Sequence, residues 1–245
     1  MRIAIFSDIH ANLEALLAVR SCYAWERVDR FLCGGDVVGY GGSPDECVEI
    51  VKAMNADTVL GNHDAAVAGR MDYSYYYEAA RGVLDIHTRL LRSENVEWLK
   101  QLPYSRRYEE YGIELCHGSP IHKEEFDYIF TPEQARMLIP HYRELEPVTF
   151  IGHSHLCRVF SLGPDGVLEL PPTLVRIEKG RKYVISVGSI GQPRDYDNRA
   201  CFTVYDVEAG EVVFHRIEYD IETSAQRISD IRLERSFGDR LFIGI

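Results

Sequence analysis

Gly34-Gly35-Asp36-Val37-Val38-Gly39-Tyr40-Gly41 sets one carboxylate among four glycines, directly after the apolar run Phe31-Leu32-Cys33. An acid framed in this way sits in a tight turn at a strand end, where a ligand can approach the backbone closely. The same arrangement recurs on either side of it. Arg2-Ile3-Ala4-Ile5-Phe6 reads as a buried strand running into Ser7-Asp8-Ile9-His10, and Thr58-Val59-Leu60 runs into Gly61-Asn62-His63-Asp64. Between the first two strands, Leu13, Leu16, Leu17, Ala24 and Val28 form one apolar helical face, with Asn12 at its cap. Between the second and third, Ser43-Pro44-Asp45-Glu46 reads as a capping box with proline at the first helical position, predicting a helix to about Met54. The order is β-α-β-α-β, which gathers its loops at one edge of a largely parallel core.

Two later strands end in the same way. Ile113-Glu114-Leu115-Cys116 leads into His117-Gly118, and Val148-Thr149-Phe150-Ile151 leads into Gly152-His153-Ser154-His155. A second capping box, Thr131-Pro132-Glu133-Gln134, starts a helix between them. Residues 65–102 read as a mainly helical insertion bordering a cleft. Its tyrosines Tyr73, Tyr75, Tyr76 and Tyr77 serve either to pack a helix face or to stack on a base. The second half is β-rich and partly antiparallel, with runs at 159–162, 167–170, 182–187, 201–205 and 212–217, then a terminal helix near 223–231. No linker interrupts the chain, so residues 1–245 read as one domain.

Bulk composition narrows the function. The 245 residues are 46% apolar and 27% charged, which suits a globular protein, and the net charge of -11 argues against a general nucleic-acid or anionic-membrane surface. No apolar run reaches membrane-spanning length and no Cys-x-x-Cys occurs, so the expected setting is cytoplasmic, with no membrane partner. The apolar end Leu241-Phe242-Ile243-Gly244-Ile245 either packs on its own core or joins copies into a homo-oligomer.

The strand ends together carry Asp8, His10, Asp36, Asn62, His63, His117, His153 and His155. Carboxylate, imidazole and amide oxygen suit hard-to-borderline divalent ions, and no cysteine cluster competes with them. Alternation along a strand would put Asp8 with His10, and His153 with His155, on shared sides. Each pair alone is a common loop feature. The ordered set points to a metal, because titratable groups gathered without one leave charges poorly compensated.

In that order, Asp8-x-His10, Gly35-Asp36, Gly61-Asn62-His63-Asp64, His117 and Gly152-His153-x-His155 resemble the calcineurin-like metallophosphoesterase superfamily. Asp8 to Leu16, Gly35 to Gly41, His117-Gly118-Ser119-Pro120 and Gly188 to Arg194 resemble its small bacterial and archaeal phosphoesterases. The resemblance implies an α/β fold, a four-layer α/β/β/α sandwich of two mixed β-sheets flanked by helices. It implies two divalent metal ions, of manganese, iron, zinc or nickel. Asp8, His10, Asp36 and His155 would hold one, and Asp36, Asn62, His117 and His153 the other. His63 would be the catalytic group. The implied reaction is hydrolysis of a phosphomonoester or phosphodiester by metal-activated water, on a small phosphoester or nucleotide-like substrate. Two dications less two carboxylates leave about +2 locally, enough to hold an anion in an acidic protein.

The protein serine/threonine phosphatases of that superfamily carry Asp and Arg where this chain has Gly39 and Tyr40. His63 therefore needs another partner, for which Asn12 is a candidate, and phosphate needs another cation, for which Arg194 is one. An asymmetric diadenosine-polyphosphate hydrolase is the specific alternative. A non-catalytic metal-binding scaffold, as in a retromer subunit resembling this family, is the alternative of another class.

Overall fold

The computed structural model describes residues 1–245, apart from the side chains of residues 24 and 25. The chain opens with β1 (Arg2–Phe6), α1 (Leu13–Glu26), β2 (Arg30–Cys33), α2 (Pro44–Ala53) and β3 (Asp57–Thr58), and both strand pairs are parallel. Three helices follow, α3 (Asn62–Val67), α4 (Glu78–Leu90) and α5 (Ser93–Gln101). Then come β4 (Ser105–Tyr108), β5 (Ile113–Cys116), α6 (Pro132–Arg136), β6 (Val148–Ile151), β7 (Cys157–Gly163), β8 (Gly166–Leu170), β9 (Leu174–Arg176) and β10 (Lys182–Val187). The chain closes with β11 (Ala200–Asp206), β12 (Glu211–Ile217), α7 (Ile221–Asp230) and α8 (Arg235–Asp239).

Two six-stranded mixed sheets result, in the orders β3-β2-β1-β11-β12-β9 and β4-β5-β6-β10-β7-β8. Strand alternation builds the layers. Ile3 and Ile5 point into a core between the sheets with Leu115, Phe150 and Ile185, while Ala4 and Phe6 point outward under Leu16 and Val19 of α1 and Val48 of α2. Ala135 of α6 covers the far side of the second sheet through Phe160 and Val184. The architecture is thus the four-layer α/β/β/α sandwich. Strands of the β-rich second half divide between the sheets: β11 joins β1 antiparallel, Arg2 opposite Asp206, whereas β10 joins β6 parallel.

Several local expectations change. The buried face of α1 is Ala15, Leu16, Val19 and Tyr23, with Leu17 only half-buried; Ala24, expected on that face, lies outside the described side chains. Thr131 forms its capping box, but Ser43, at ψ 61°, makes no side-chain bond to α2, and Pro44 alone marks that start. Tyr73 to Tyr77 are not helical, since α4 begins at Glu78. Strands β4 and β9 lack an apolar alternation to announce them and are held as edges by pairing with β5 and β12. Leu241 packs into the protein's own interior, while Phe242, Ile243 and Ile245 stay exposed. No helix among the described residues is long and apolar enough to cross a membrane.

Candidate metal centre and its cleft

Strand geometry does not persist into the loops. β1 stops at Phe6 and β6 at Ile151, and beyond them Asp8, His10, Asp36, His153 and His155 have φ of 54°, 47°, 52°, 66° and 58°. The alternation argument for their shared sides is therefore replaced by left-handed coiling, at a cost of about 1–2 kcal/mol for each non-glycine residue. Backbone bonds between loops hold it. Asp8 N–H donates to Gly35 C=O at 3.0 Å, His10 N–H to Asp36 C=O at 2.9 Å and Ala11 N–H to Val37 C=O at 2.9 Å. Gly61 lets the third loop close on the second: a Cβ there would stand 2.1 Å from Asp36 Oδ1.

Three imidazoles are oriented alike. His10 Nδ1 lies 3.0 Å from the Val38 carbonyl, His117 Nδ1 2.7 Å from that of Gly34, and His155 Nδ1 2.6 Å from that of Gln192. A carbonyl only accepts, so each Nδ1 carries a proton and each Nε2 is turned inward, as a lone pair in the neutral His10 and His155 rings. His10 Nε2 and His155 Nε2 then face one another at 3.0 Å, with Asp8 Oδ1 at 3.8 and 3.5 Å from them. Asp36 Oδ2 lies 3.6 Å from His10 Nε2 and 3.3 Å from His117 Nε2. Asn62 Nδ2 donates to Tyr76 Oη at 2.7 Å, which leaves its Oδ1 turned to His117 Nε2 at 3.1 Å. The opposed lone pairs of His10 and His155 repel at 3.0 Å, and a cation between them removes the repulsion. The donor set fits divalent ions.

Asp8, His10 and His155 group within reach of one ion, and Asp36, His117 and His153 within reach of another; a third grouping joins His10, Asp36 and His63. The charges show the same need. Burial holds Asp8 up to about 7, and burial keeps His10, His153 and His155 well below the usual imidazole range. Burial opposes ionisation of His117 and of Asp36 as well, yet their mutual attraction prevails, lifting His117 to about 9 and keeping Asp36 ionised.

The sequence profile described as calcineurin-like phosphoesterase matches residues 1–168. An uncharacterized protein of Methanocaldococcus jannaschii is 35% identical over 244 residues, 99% of this chain and 98% of that one. The chain belongs to the calcineurin-like phosphoesterase family. A metallophosphoesterase from Sphaerobacter thermophilus, known from its crystal structure, is 34% identical with a TM-score of 0.85, covering 100% of this chain and 99% of that one. The symmetrical bis(5'-nucleosyl)-tetraphosphatase of Nitrosococcus oceani is 32% identical over 98 residues, 38% of this chain and 34% of that protein. Metallophosphoesterases use divalent metals, and the clustered acids and imidazoles are their candidate ligands here.

In this family member, His63 N–H donates to Asp36 Oδ1 at 2.9 Å, and its ring lines the cleft. Burial lowers its pKa to about 4, and Nδ1 has no partner among the described residues. Asn12 is not its partner. The Asn12 amide donates to Gly191 C=O at 2.9 Å and accepts from Ala15 N–H at 3.1 Å and Ser224 Oγ at 2.8 Å, so it caps α1 and ties loops. Arg194 is half-buried in the cleft, its guanidinium carbon 5.6 Å from the Tyr40 ring centre and its Nη2 donating to Gln192 Oε1 at 2.7 Å.

Some supporting residues left no readable mark in the sequence. His87 of α4 accepts from Gly39 N–H through Nδ1 at 3.0 Å and donates from Nε2 to Gly41 C=O at 3.0 Å, locking the Asp36 loop. Asp64 takes Val38 N–H at 3.1 Å and Gly61 N–H at 3.2 Å, tying two loops. Tyr128 stacks on His153 at 3.8 Å and 14°. Only the Gly188–Arg194 motif hinted at the role of Gln192, whose carbonyl orients His155.

Proposed function

We propose that this chain hydrolyses a phosphomonoester or phosphodiester at a two-metal centre whose shared ligand is Asp36. The observation that carries the reading is the placement of Asp36 Oδ2 between His10 Nε2 and His117 Nε2, at the floor of a cleft that also holds His63 and Arg194. Asp8, His10, Asp36 and His155 would hold one ion, and Asp36, Asn62, His117 and His153 the other. Divalent ions held there would supply Lewis acidity toward phosphoryl oxygens and would acidify a bound water.

The chain's own groups do the rest. Arg194 presents a fixed planar cation to a phosphoryl oxygen, a task that Tyr40 cannot perform. His63, neutral in its buried position, donates a ring N–H to a phosphoryl or leaving-group oxygen, while its backbone bond to Asp36 keeps ring and carboxylate in register. The Val38, Gly34 and Gln192 carbonyls hold three imidazoles so that no reorganisation is needed when charge develops.

A second reading, asymmetric hydrolysis of a diadenosine polyphosphate, draws support from the tyrosines lining the cleft; the Nitrosococcus relative shares the substrate class in its name but is described as symmetrical, which does not favour the asymmetric cleavage. A panel of simple monoesters, diesters and dinucleoside polyphosphates, each assayed with manganese and other divalent ions, separates the readings. Metal-dependent turnover of the simple esters is expected. Absence of turnover throughout, with metal bound, overturns the enzymatic reading. His63→Asn at unchanged rate overturns its role.

A further inference from the structure

The cleft above the metal centre has a volume of about 470 Å³, in the range of sites that enclose a nucleotide-sized ligand. Its floor is accounted for by the candidate ligands, His63 and Arg194. Its walls are not. Tyr75, Tyr77 and Tyr128 line it with 70%, 56% and 45% of their surface exposed. Tyrosine carries a large apolar ring with a polar tip, and here three such rings border the cleft that holds Asp36, His63 and Arg194. Tyr128 is already fixed by stacking on His153, and Tyr75 stands edge-on to Tyr76 at 5.0 Å.

Charge on the walls narrows the occupant. Apart from imidazoles, Arg194 is the only basic side chain among the described lining residues, while Glu125 and Asp127 flank the Tyr128 side. A string of phosphates running along that wall would meet two carboxylates and no cation. A neutral flat ring bearing N–H donors would meet tyrosine faces and acceptor oxygens instead.

Resting on the phosphoesterase reading and deepening it, we infer that Tyr75, Tyr77 and Tyr128 form a subsite for one flat, donor-bearing ring. The substrate class is then an ester with a single phosphate at the metal end and a nucleobase-like ring at the other. Glu125 and Asp127 accept from the ring's N–H groups and repel longer phosphate chains. This favours a mononucleotide-type ester over a dinucleoside polyphosphate.

Isothermal titration of the manganese-loaded protein with inorganic phosphate, ribose 5-phosphate, adenosine monophosphate and diadenosine tetraphosphate tests it. Adenosine monophosphate should bind at least about fivefold tighter than ribose 5-phosphate, the low end of what stacking one base supplies. Tyr75→Ala with Tyr77→Ala should erase that ratio, and Tyr75→Phe with Tyr77→Phe should keep it. Equal affinities for the two monophosphates, with inorganic phosphate still bound, overturn the ring subsite and leave the phosphoesterase reading standing. Phosphate that fails to bind overturns both. Diadenosine tetraphosphate binding tighter than adenosine monophosphate overturns the single-phosphate assignment.

Discussion

The floor and the walls of the cleft are built on opposite principles. On the floor, Asp8, His10, Asp36, His117 and His155 are buried, several in left-handed backbone, and their outer atoms are bonded to loops drawn from distant parts of the chain. On the walls, Tyr75 and Tyr77 are more than half exposed and lie outside regular structure. Strain and crossed bonds can be maintained only where the surroundings over-determine the conformation, so chemistry that tolerates little error sits on the floor. Recognition of a substrate tolerates adjustment and, on the proposed reading, falls to the rim.

That contrast can be broken most sharply at Asp36. Asp36→Asn removes the shared charge, and kcat/KM should fall by at least about 10³-fold, in line with the largest single-group electrostatic losses. Metal analysis should show less than the full complement bound; near-normal turnover and loading would mean that the floor is not organised around this carboxylate. Chelation of the wild type should lower its unfolding temperature in the same experiment, because ions that bind only the folded state stabilise it.

The next largest effect is expected at His87, which braces the floor from α4. Burial holds its pKa down to about 4, below the usual 6.5, so between those values the unfolded chain binds more protons than the folded one. The neutral ring's contribution is therefore intact above about 6.5 and is lost as pH falls toward 4, on the order of 3 kcal/mol for a shift of this size. His87→Gln keeps a donor and an acceptor without titrating, and urea unfolding at pH 7 and pH 4 should show a shallower acid loss than in the wild type. Equal slopes would remove His87 from the acid response.

Gly61→Ala should come next. Its added methyl meets Asp36 Oδ1, and overpacking of this kind costs about 1–3 kcal/mol, measurable as a lower urea midpoint at constant slope. The smallest effect belongs to the wall. Tyr75→Ala should change stability by no more than about 0.5 kcal/mol, as for most exposed positions, while weakening the binding of ring-bearing ligands. A large loss of stability at Tyr75 would erase the distinction between the two regions.

Much of the floor could be read from the sequence because its residues directly follow short apolar runs. Asp8, Asp36, Asn62, His117 and His153 each stand within three residues of the end of an apolar run, and proximity to such runs marks a loop at a sheet edge. The braces could not be read. His87 lies on a helix 46 residues from Gly41, and Ser224 reaches Asn12 across 212 residues, so no local pattern records either contact. Tyr73 to Tyr77 misled for a related reason: their spacing suits a helix face, but Asp72 accepts Ser74 N–H at 2.9 Å and closes a turn there instead.

By itself the sequence determined the β-α-β-α-β opening, the short apolar runs that become buried strands, and the set of acids and imidazoles at the strand ends. Side-chain period and turn chemistry act over a few residues, so they survive in the linear order. Tertiary structure decided which sheet each late strand would join, with Arg2 paired to Asp206 and Lys182 starting a strand beside Val148. It also set the inward-facing Nε2 atoms of His10, His117 and His155, because each ring is oriented by a carbonyl that only the folded chain brings within hydrogen-bond distance.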